Sequence, residues 1–318
     1  MTIPRTSLAG IPRPLDRLVL GLWPLSGVTT KGVRREDAEA TLQAALDAGA
    51  RTFDSAYSYG YEGESDQLLG RAIRGRRERV VVIGKVGQRW NAARQRVVDG
   101  RPEQLTTDAE TSLRRLGIDA FDLLFLHSPH PDESVPIERS AETMQRLVDR
   151  GLAAATGVCN VSDEQLCRFQ AVTPAAAVQL PLNLLQQETL RHPLPWCREQ
   201  GIGVFVYWTL MKGILAGRIG RDHRFPEGDS RPNYAIYQGA QRERAHRLVD
   251  ALRGIAADEG KTVAQLAIGW TLAQPGVSAA LIGAHRPEQI VETLGSEPLD
   301  GTTLQRVEQT LGQTSDPD

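Results

Sequence analysis

A single (β/α)8 barrel is the fold class the sequence predicts, and three observations predict it. Eight short apolar segments alternate with helix-patterned segments along the chain. Strands separated by helices pair in parallel, and eight such units suit a chain of 318 residues. The first apolar segment runs into Gly21-Leu22-Trp23-Pro24. A doubly wound nucleotide-binding sheet would place a G-x-G-x-x-G turn there.

The elements follow in order. Residues 18–22 (LVLGL) form a short apolar run closed by glycine, a buried strand. Residues 35–48 place Ala38, Leu42, Ala45 and Leu46 on one face, and Gly49 stops the helix. Residues 52–54 are the second strand, and 64–73 are a helix with Leu68, Leu69 and Ile73 inward. Residues 80–83 (VVVI) are a β-branched strand running into Gly84-Lys85. Pro102 stands just inside a helix that reaches Leu116, with Gly117 after it. Residues 123–126 (LLFL) lead into His127, and 136–150 are a helix ended by Gly151. Residues 153–158 are a strand before Cys159-Asn160, and Ser162 caps a helix over 163–170. Residues 176–180 carry Gln179, a helix closes over 196–200, and 204–207 (VFVY) end on Tyr207. Helices over 242–259 and 263–273 precede a last strand at 279–282, a helix at 287–294 and a final helix at 303–311.

One domain therefore accounts for residues 1–318. Residues 1–17 are an extension or a hairpin over the barrel floor. Residues 208–240 lack clear periodicity, and a connection that long is usually a lid or binding loop. Residues 300–318 are a C-terminal helix and tail.

Composition narrows the function classes. The 41% apolar and 24% charged content is globular, and a net charge of -2 gives no global attraction to nucleic acid or to an anionic membrane. The basic segment 71–79 (RAIRGRRER) reads most simply as a solvated helix end. No apolar run approaches the roughly 18 residues of a membrane span. The N-terminus lacks the apolar core of a secretory signal, and three scattered cysteines fit a reducing compartment. A soluble cytoplasmic protein is expected.

In such a barrel all strands end at one face, where the chemistry sits. Asp54 follows the second strand, Lys85 the third, His127 the fourth and Asn160 the fifth, while Gln179 and Tyr207 close the sixth and seventh. Asp54 opens a loop with three aromatic residues, Phe53, Tyr57 and Tyr59, around it. A tyrosine phenol has an ordinary pKa of about 10. A neighbouring lysine ammonium stabilises its anion, and a carboxylate keeps that lysine charged and oriented. A neutral histidine donates to a substrate oxygen. Such a set suits proton delivery to a carbonyl oxygen as it gains electrons, with the hydride supplied by a cofactor.

These segments resemble the aldo-keto reductases over residues 18–294. Asp54-Ser55-Ala56-Tyr57-Ser58-Tyr59-Gly60 is similar to the family's D-[ST]-A-x-x-Y-G. Ser65-Asp66-Gln67-Leu68-Leu69-Gly70 is similar to its S-E-x-x-L-G, with Asp for Glu. Lys85 and Leu126-His127-Ser128-Pro129 match the strand-end lysine and the L-H-x-P element. The resemblance implies Tyr59 as general acid/base, Lys85 as the group that tunes it, Asp54 as partner of Lys85, and His127 as the group orienting the carbonyl. Gly157-Val158-Cys159-Asn160 resembles G-x-S-N, with Cys for Ser. Asn160 and Gln179 would hold the nicotinamide carboxamide, and Tyr207 would stack on the ring. Tyr207-Trp208-Thr209-Leu210-Met211-Lys212-Gly213 stands where the family has Y-S-P-L-x-x-G, which implicates Leu210 and Gly213. The segment from Gly283 through Arg286 to Gln289 resembles the turn at the adenosine end. Arg286 suits the 2′-phosphate of NADP by its planar fork, so NADPH is the expected cofactor and a small carbonyl compound the expected substrate. Trp23, Trp90, Trp208 and Phe225 are aromatic candidates for the substrate pocket.

Other readings stay open. Lys85 could form a Schiff base. His127 and His130 could suggest a metal site, although no third or fourth ligand cluster accompanies them and none is expected. A nucleotide-binding barrel could instead serve as a redox sensor or regulatory subunit. Oligomeric state and the identity of the substrate are not legible.

Overall fold

The computed structural model describes residues 3–28 and 32–314. A two-stranded hairpin, β1 (Arg5–Thr6) and β2 (Leu15–Asp16), precedes the first barrel strand, β3 (Leu18–Gly21). Helix α1 (Arg35–Asp47) leads to β4 (Thr52–Asp54), and α2 (Glu64–Ala72) leads to β5 (Val81–Val86). A second hairpin follows, β6 (Gln88–Trp90) and β7 (Arg96–Val98), before α3 (Pro102–Leu116) and β8 (Leu123–Leu126). The chain continues through α4 (Ile137–Asp149), β9 (Thr156–Cys159), α5 (Asp163–Val172) and β10 (Ala175–Pro181). Two short helices, α6 (Glu188–Arg191) and α7 (Leu194–Glu199), precede β11 (Gly203–Tyr207). Helices α8 (Gly239–Asp258) and α9 (Val263–Ala273), strand β12 (Val277–Ile282), α10 (Pro287–Leu294) and α11 (Gly301–Thr314) complete it.

Eight strands close into a parallel barrel in the order β10-β11-β12-β3-β4-β5-β8-β9. The predicted (β/α)8 architecture is therefore observed. Closure rests on β12 against β3, where Ala280, Leu281 and Ile282 pair with Leu18, Val19 and Leu20. The barrel interior packs Val19, Val81, Ile83, Leu123, Phe125, Ala177, Phe205 and Ala279. The other face of each strand packs the helices into a larger buried layer. Gly157 is one of the points where the barrel leaves no room for a side chain. A Cβ there would stand 2.4 Å from the Ala177 carbonyl oxygen and 2.5 Å from the Phe125 ring.

The first hairpin packs at the start of the barrel strands; residues 1 and 2 of the segment read as an extension or hairpin lie outside the described residues. Asp16 accepts from the backbone N–H groups of Arg51 (2.5 Å) and Thr52 (2.9 Å) and so ties the hairpin to β4. Ser162 caps α5 in a reciprocal capping box with Gln165. The basic segment after α2 lies in part on the buried carboxylate of Asp122, which pairs with Arg77 (2.8 Å). Strand β9 is shorter at its start than predicted, since residue 153 makes only an isolated bridge to Phe121. Residues 208–240 form 3-10 turns at Met211–Ala216, Arg231–Asn233 and Ala235–Tyr237, and α8 starts three residues earlier than its pattern suggests. The second hairpin escaped the sequence reading because its strands are only three residues long and show no clear alternation. Its turn is built locally: the Asn91 side-chain oxygen accepts from the N–H groups of Ala93 (3.0 Å) and Gln95 (2.9 Å).

Candidate active site

The two-residue period of the strands carries the apolar interior up into a polar rim. Ile83 faces the interior and is followed on the same face by Lys85. Phe125 is followed in the same way by His127, Ala177 by Gln179, and Phe205 by Tyr207. Parallel register then sets the strand ends side by side at one face.

Lys85 and Asp54 have side chains with 0% exposure and form an ion pair. The Lys85 Nζ also donates to the Tyr59 hydroxyl (3.1 Å) and lies 3.3 Å from the Ser55 carbonyl oxygen. Gln179 donates from Nε2 to the other Asp54 oxygen at 3.0 Å. Burial alone would depress the Lys85 pKa. The attraction of Asp54, and then of Tyr59, outweighs it and holds Lys85 above its ordinary value. Burial is also the leading influence on Tyr59 and pushes its phenol up to about 12, although Lys85 pulls it down. The sequence expectation of a lysine-lowered phenol therefore holds for the direction of the lysine's influence and not for the net result. His127 sits well below its ordinary value, through burial first and then the charges of Lys85 and Arg96. It is neutral at pH 7, and its Nδ1 is buried without a hydrogen-bond partner among the described residues.

The loop that presents Tyr59 is fastened from several sides. Its backbone N–H groups at Ser55 and Tyr57 donate to the carbonyls of Ile83 (2.9 Å) and Lys85 (3.0 Å). Trp90 donates from Nε1 to the Ser58 carbonyl at 2.9 Å. Gly60 turns at φ +105°, where a Cβ would collide with the Glu64 backbone nitrogen at 2.8 Å. Behind the loop, buried Asp66 accepts from the hydroxyls of Ser55 (2.5 Å) and Ser112 (2.6 Å). Burial pushes that carboxyl up to about 6 in spite of these bonds.

The rim opens into a cavity of about 750 Å³. Asp54, Tyr59, His127, Asn160, Gln179, Tyr207, Leu210, Gly213, Gly283 and Gln289 line it, with Trp23, Trp90 and Trp208. The fold thus brings together nearly all the residues that the sequence singled out. Lys85 stands behind Asp54 and Tyr59 and does not line the cavity. Arg286 is exposed at the N-terminal cap of α10, outside the lining. Phe225 is also outside it, packed on Tyr237 with ring centroids 4.9 Å apart, with the Arg231 guanidinium 4.5 Å from its centroid. His130 belongs to a loop contact, its Nδ1 accepting from the Gly100 N–H at 3.2 Å.

Asn160 holds a left-handed backbone, φ +57°, which asparagine tolerates better than most residues. Its Nδ2 donates to the His127 carbonyl (2.8 Å), and its Oδ1 accepts from the Tyr207 hydroxyl (2.7 Å). Beyond Tyr207 the backbone is left-handed at Trp208, Met211 and Lys212, all non-glycine residues. Such strain concentrates at ligand-holding loops. The sequence reading missed four cationic lining residues, Arg96, Lys212, Arg218 and Arg231. Arg96 lay in the unrecognised hairpin. Residues 88–98 (QRWNAARQRVV) carry no regular period that would have marked it.

A closed parallel barrel with a Tyr–Lys–Asp–His cluster in a large pocket at its C-terminal rim defines an enzyme-like site of the barrel oxidoreductases. Comparison with known proteins gives the family. The model of the Aldo/keto reductase family matches residues 17–311, and the chain belongs to that family, as a nicotinamide-dependent oxidoreductase. It is 34% identical over 295 residues to the aldo-keto reductase YhdN of Bacillus subtilis, covering 90% of this chain and 86% of that one. It is 29% identical over 298 residues to the NADH-specific methylglyoxal reductase of Escherichia coli, covering 89% of this chain and 90% of that one. Among solved structures, the glycerol dehydrogenase AKR11B4 from Gluconobacter oxydans superposes with a TM-score of 0.89 at 32% identity, over 99% of this chain and 97% of that one.

Proposed function

We propose that this protein uses NADPH to reduce the carbonyl of a small aldehyde or ketone, and reversibly oxidises the alcohol, with Tyr59 as the general acid/base. The observation that carries the reading is the Lys85 Nζ donating to the Tyr59 hydroxyl (3.1 Å) while ion-paired with buried Asp54, at the edge of the cavity. The phenol keeps its proton at neutral pH and can deliver it to a substrate oxygen. Neutral His127 can donate a hydrogen bond to the same oxygen. The charged state in which Lys85 is held argues against its acting as a Schiff-base nucleophile, which needs a free amine.

The residues around the pocket suit a nicotinamide dinucleotide. Asn160 and Gln179 offer amides for the carboxamide, and Tyr207 offers a ring face beside them. When bound, the cofactor supplies the hydride. The Arg286 side chain makes no hydrogen bond or ion pair among the described residues, and it stands at the start of α10. An unpaired guanidinium at a helix N-terminus supports recognition of a 2′-phosphate, and hence NADPH. The Escherichia coli relative is named for NADH, so family membership alone does not set the preference, and the chain's own residues must. The three cysteines are free, which supports a reducing, cytoplasmic setting.

The deciding experiment is a fluorescence titration of the protein with NADPH and with NADH, repeated on Arg286→Ala. Quenching by NADPH at much lower concentration than NADH, lost in Arg286→Ala, is the expected result. Equal affinity for both would remove Arg286 from the site. Absence of binding by either would overturn the reductase reading.

A further inference from the structure

The hairpin after β5 places in the pocket a cation, Arg96, that no carboxylate among the described residues pairs with. Arg96 lines the cavity, and its guanidinium lies 5.7 Å from the centroid of the Trp23 ring. Trp23 in turn lies 5.1 Å from Tyr59, ring centroid to ring centroid. The Arg96 charge reaches the reacting rim, since it helps depress His127. Arg96 makes no ion pair among the described residues.

The other charges of the lining are engaged. Asp54 is held by Lys85, and Glu292 by Arg218. Arg231 is held by Asp229 at 2.7 Å. Lys212 rests between the rings of Trp208 (3.8 Å) and Tyr234 (3.6 Å), on the β11 side with the groups that suit the nicotinamide. Arg96 comes from the opposite half of the barrel, beside Trp23 and Trp90, where a substrate would lie. A cation there without a counter-charge favours a substrate that brings one.

We propose that Arg96 makes the pocket selective for carbonyl compounds that carry an anionic group, a carboxylate or a phosphate, a few atoms from the carbonyl. This rests on the reductase reading above. The carbonyl sits against Tyr59 and His127, and the anionic end reaches past Trp23 to the guanidinium, whose fork pairs with either oxyanion. Arg96 is a specificity residue and takes no part in proton transfer.

The test compares two matched pairs of aldehydes with NADPH: butanal against 4-oxobutanoate, and glyceraldehyde against glyceraldehyde 3-phosphate. The wild-type protein should favour the anionic member of at least one pair by about tenfold or more in kcat/KM. Which pair shows it separates a carboxylate from a phosphate ligand. The preference should weaken with added salt. In Arg96→Gln the anionic-to-neutral ratio should fall by about tenfold, mainly through KM, and Arg96→Lys should restore part of it. No preference in the wild type, or a ratio that Arg96→Gln leaves intact, overturns the proposal while the neutral aldehydes still report a working reductase. No oxidation of NADPH or NADH with any of the four overturns the reductase reading and this proposal together.

Discussion

The Lys85 Nζ lies 3.1 Å from the Tyr59 hydroxyl and donates to it from a side chain that water does not reach. Tyr59 is thereby tied to the Asp54–Lys85 ion pair, and proton chemistry at the phenol depends on a charge buried behind it. Each of the following expectations turns on that arrangement or on the loop that supports it.

Tyr59→Phe removes the acidic proton and little else. Turnover should fall by about 10²–10⁴-fold, the usual worth of general acid catalysis. Cofactor binding should persist, because the ring and its packing against Trp23 remain. Steady-state rates and a cofactor fluorescence titration on the same preparation check both halves. A near-wild-type rate would remove Tyr59 from the acid/base role.

Lys85→Met should be worse for the fold than removal of the whole pair. It leaves Asp54 fully buried without its cation, and an orphaned buried charge costs about 3–5 kcal/mol. Adding Asp54→Asn should recover much of that loss, since no unpaired charge then remains. Urea unfolding of the two variants measures the difference. Equal destabilisation would show that the loss does not come from an unpaired buried charge.

The pH profile should differ between the two reaction directions. The Tyr59 phenol, pushed up to about 12, carries its proton throughout the neutral range. Carbonyl reduction should therefore be nearly flat from about pH 6 to pH 9. Alcohol oxidation needs the phenol deprotonated and should climb with pH over the same range. His127 is held well below its ordinary value, so no loss of activity is expected near pH 6.5. Initial rates in both directions give the test, and a reduction rate that collapses above pH 7 would contradict the assignment.

Asp66 gives a stability signature. Its carboxyl is raised from 3.8 to about 6 by burial, so the folded protein favours the protonated form. The stability it contributes is fully present below pH 3.8 and is lost as pH rises through about 6. Asp66→Asn does not titrate, so its melting temperature should gain on the wild type as pH rises from 4 to 7. Asp66→Ala should cost about 1–3 kcal/mol at any pH, because the buried Ser55 and Ser112 hydroxyls lose their acceptor. A Tm difference between Asp66→Asn and the wild type that does not change with pH would place the Asp66 carboxyl elsewhere in its titration.

The rim residues were legible because strands have a period of two and end where their apolar run ends. Lys85 after Ile83 and His127 after Phe125 could be placed on the interior face from the chain alone. Arg96 could not. Its strand is three residues long, and its hairpin is held by the side chain of Asn91 and by Trp90 reaching Ser58. Arg286 shows the opposite case, a residue marked by its motif whose place the chain alone does not give. Its motif was plain, yet the start of α10 leaves it outside the cavity lining.

What the sequence determined by itself is the set of local units: eight apolar strands, the helices between them, and a polar residue at the top of most strands. Local periodicity is enough for that, because each strand and helix must bury one face. What only the tertiary structure decided is which of those residues touch. Gln179 and Asp54 stand far apart in the chain and meet at 3.0 Å. That meeting depends on the closure of β12 onto β3 and on parallel register around the barrel. The net rise of the Tyr59 phenol is likewise a product of burial, which outweighs the lysine beside it. Burial is a property of the closed barrel, and no local pattern along the chain contains it.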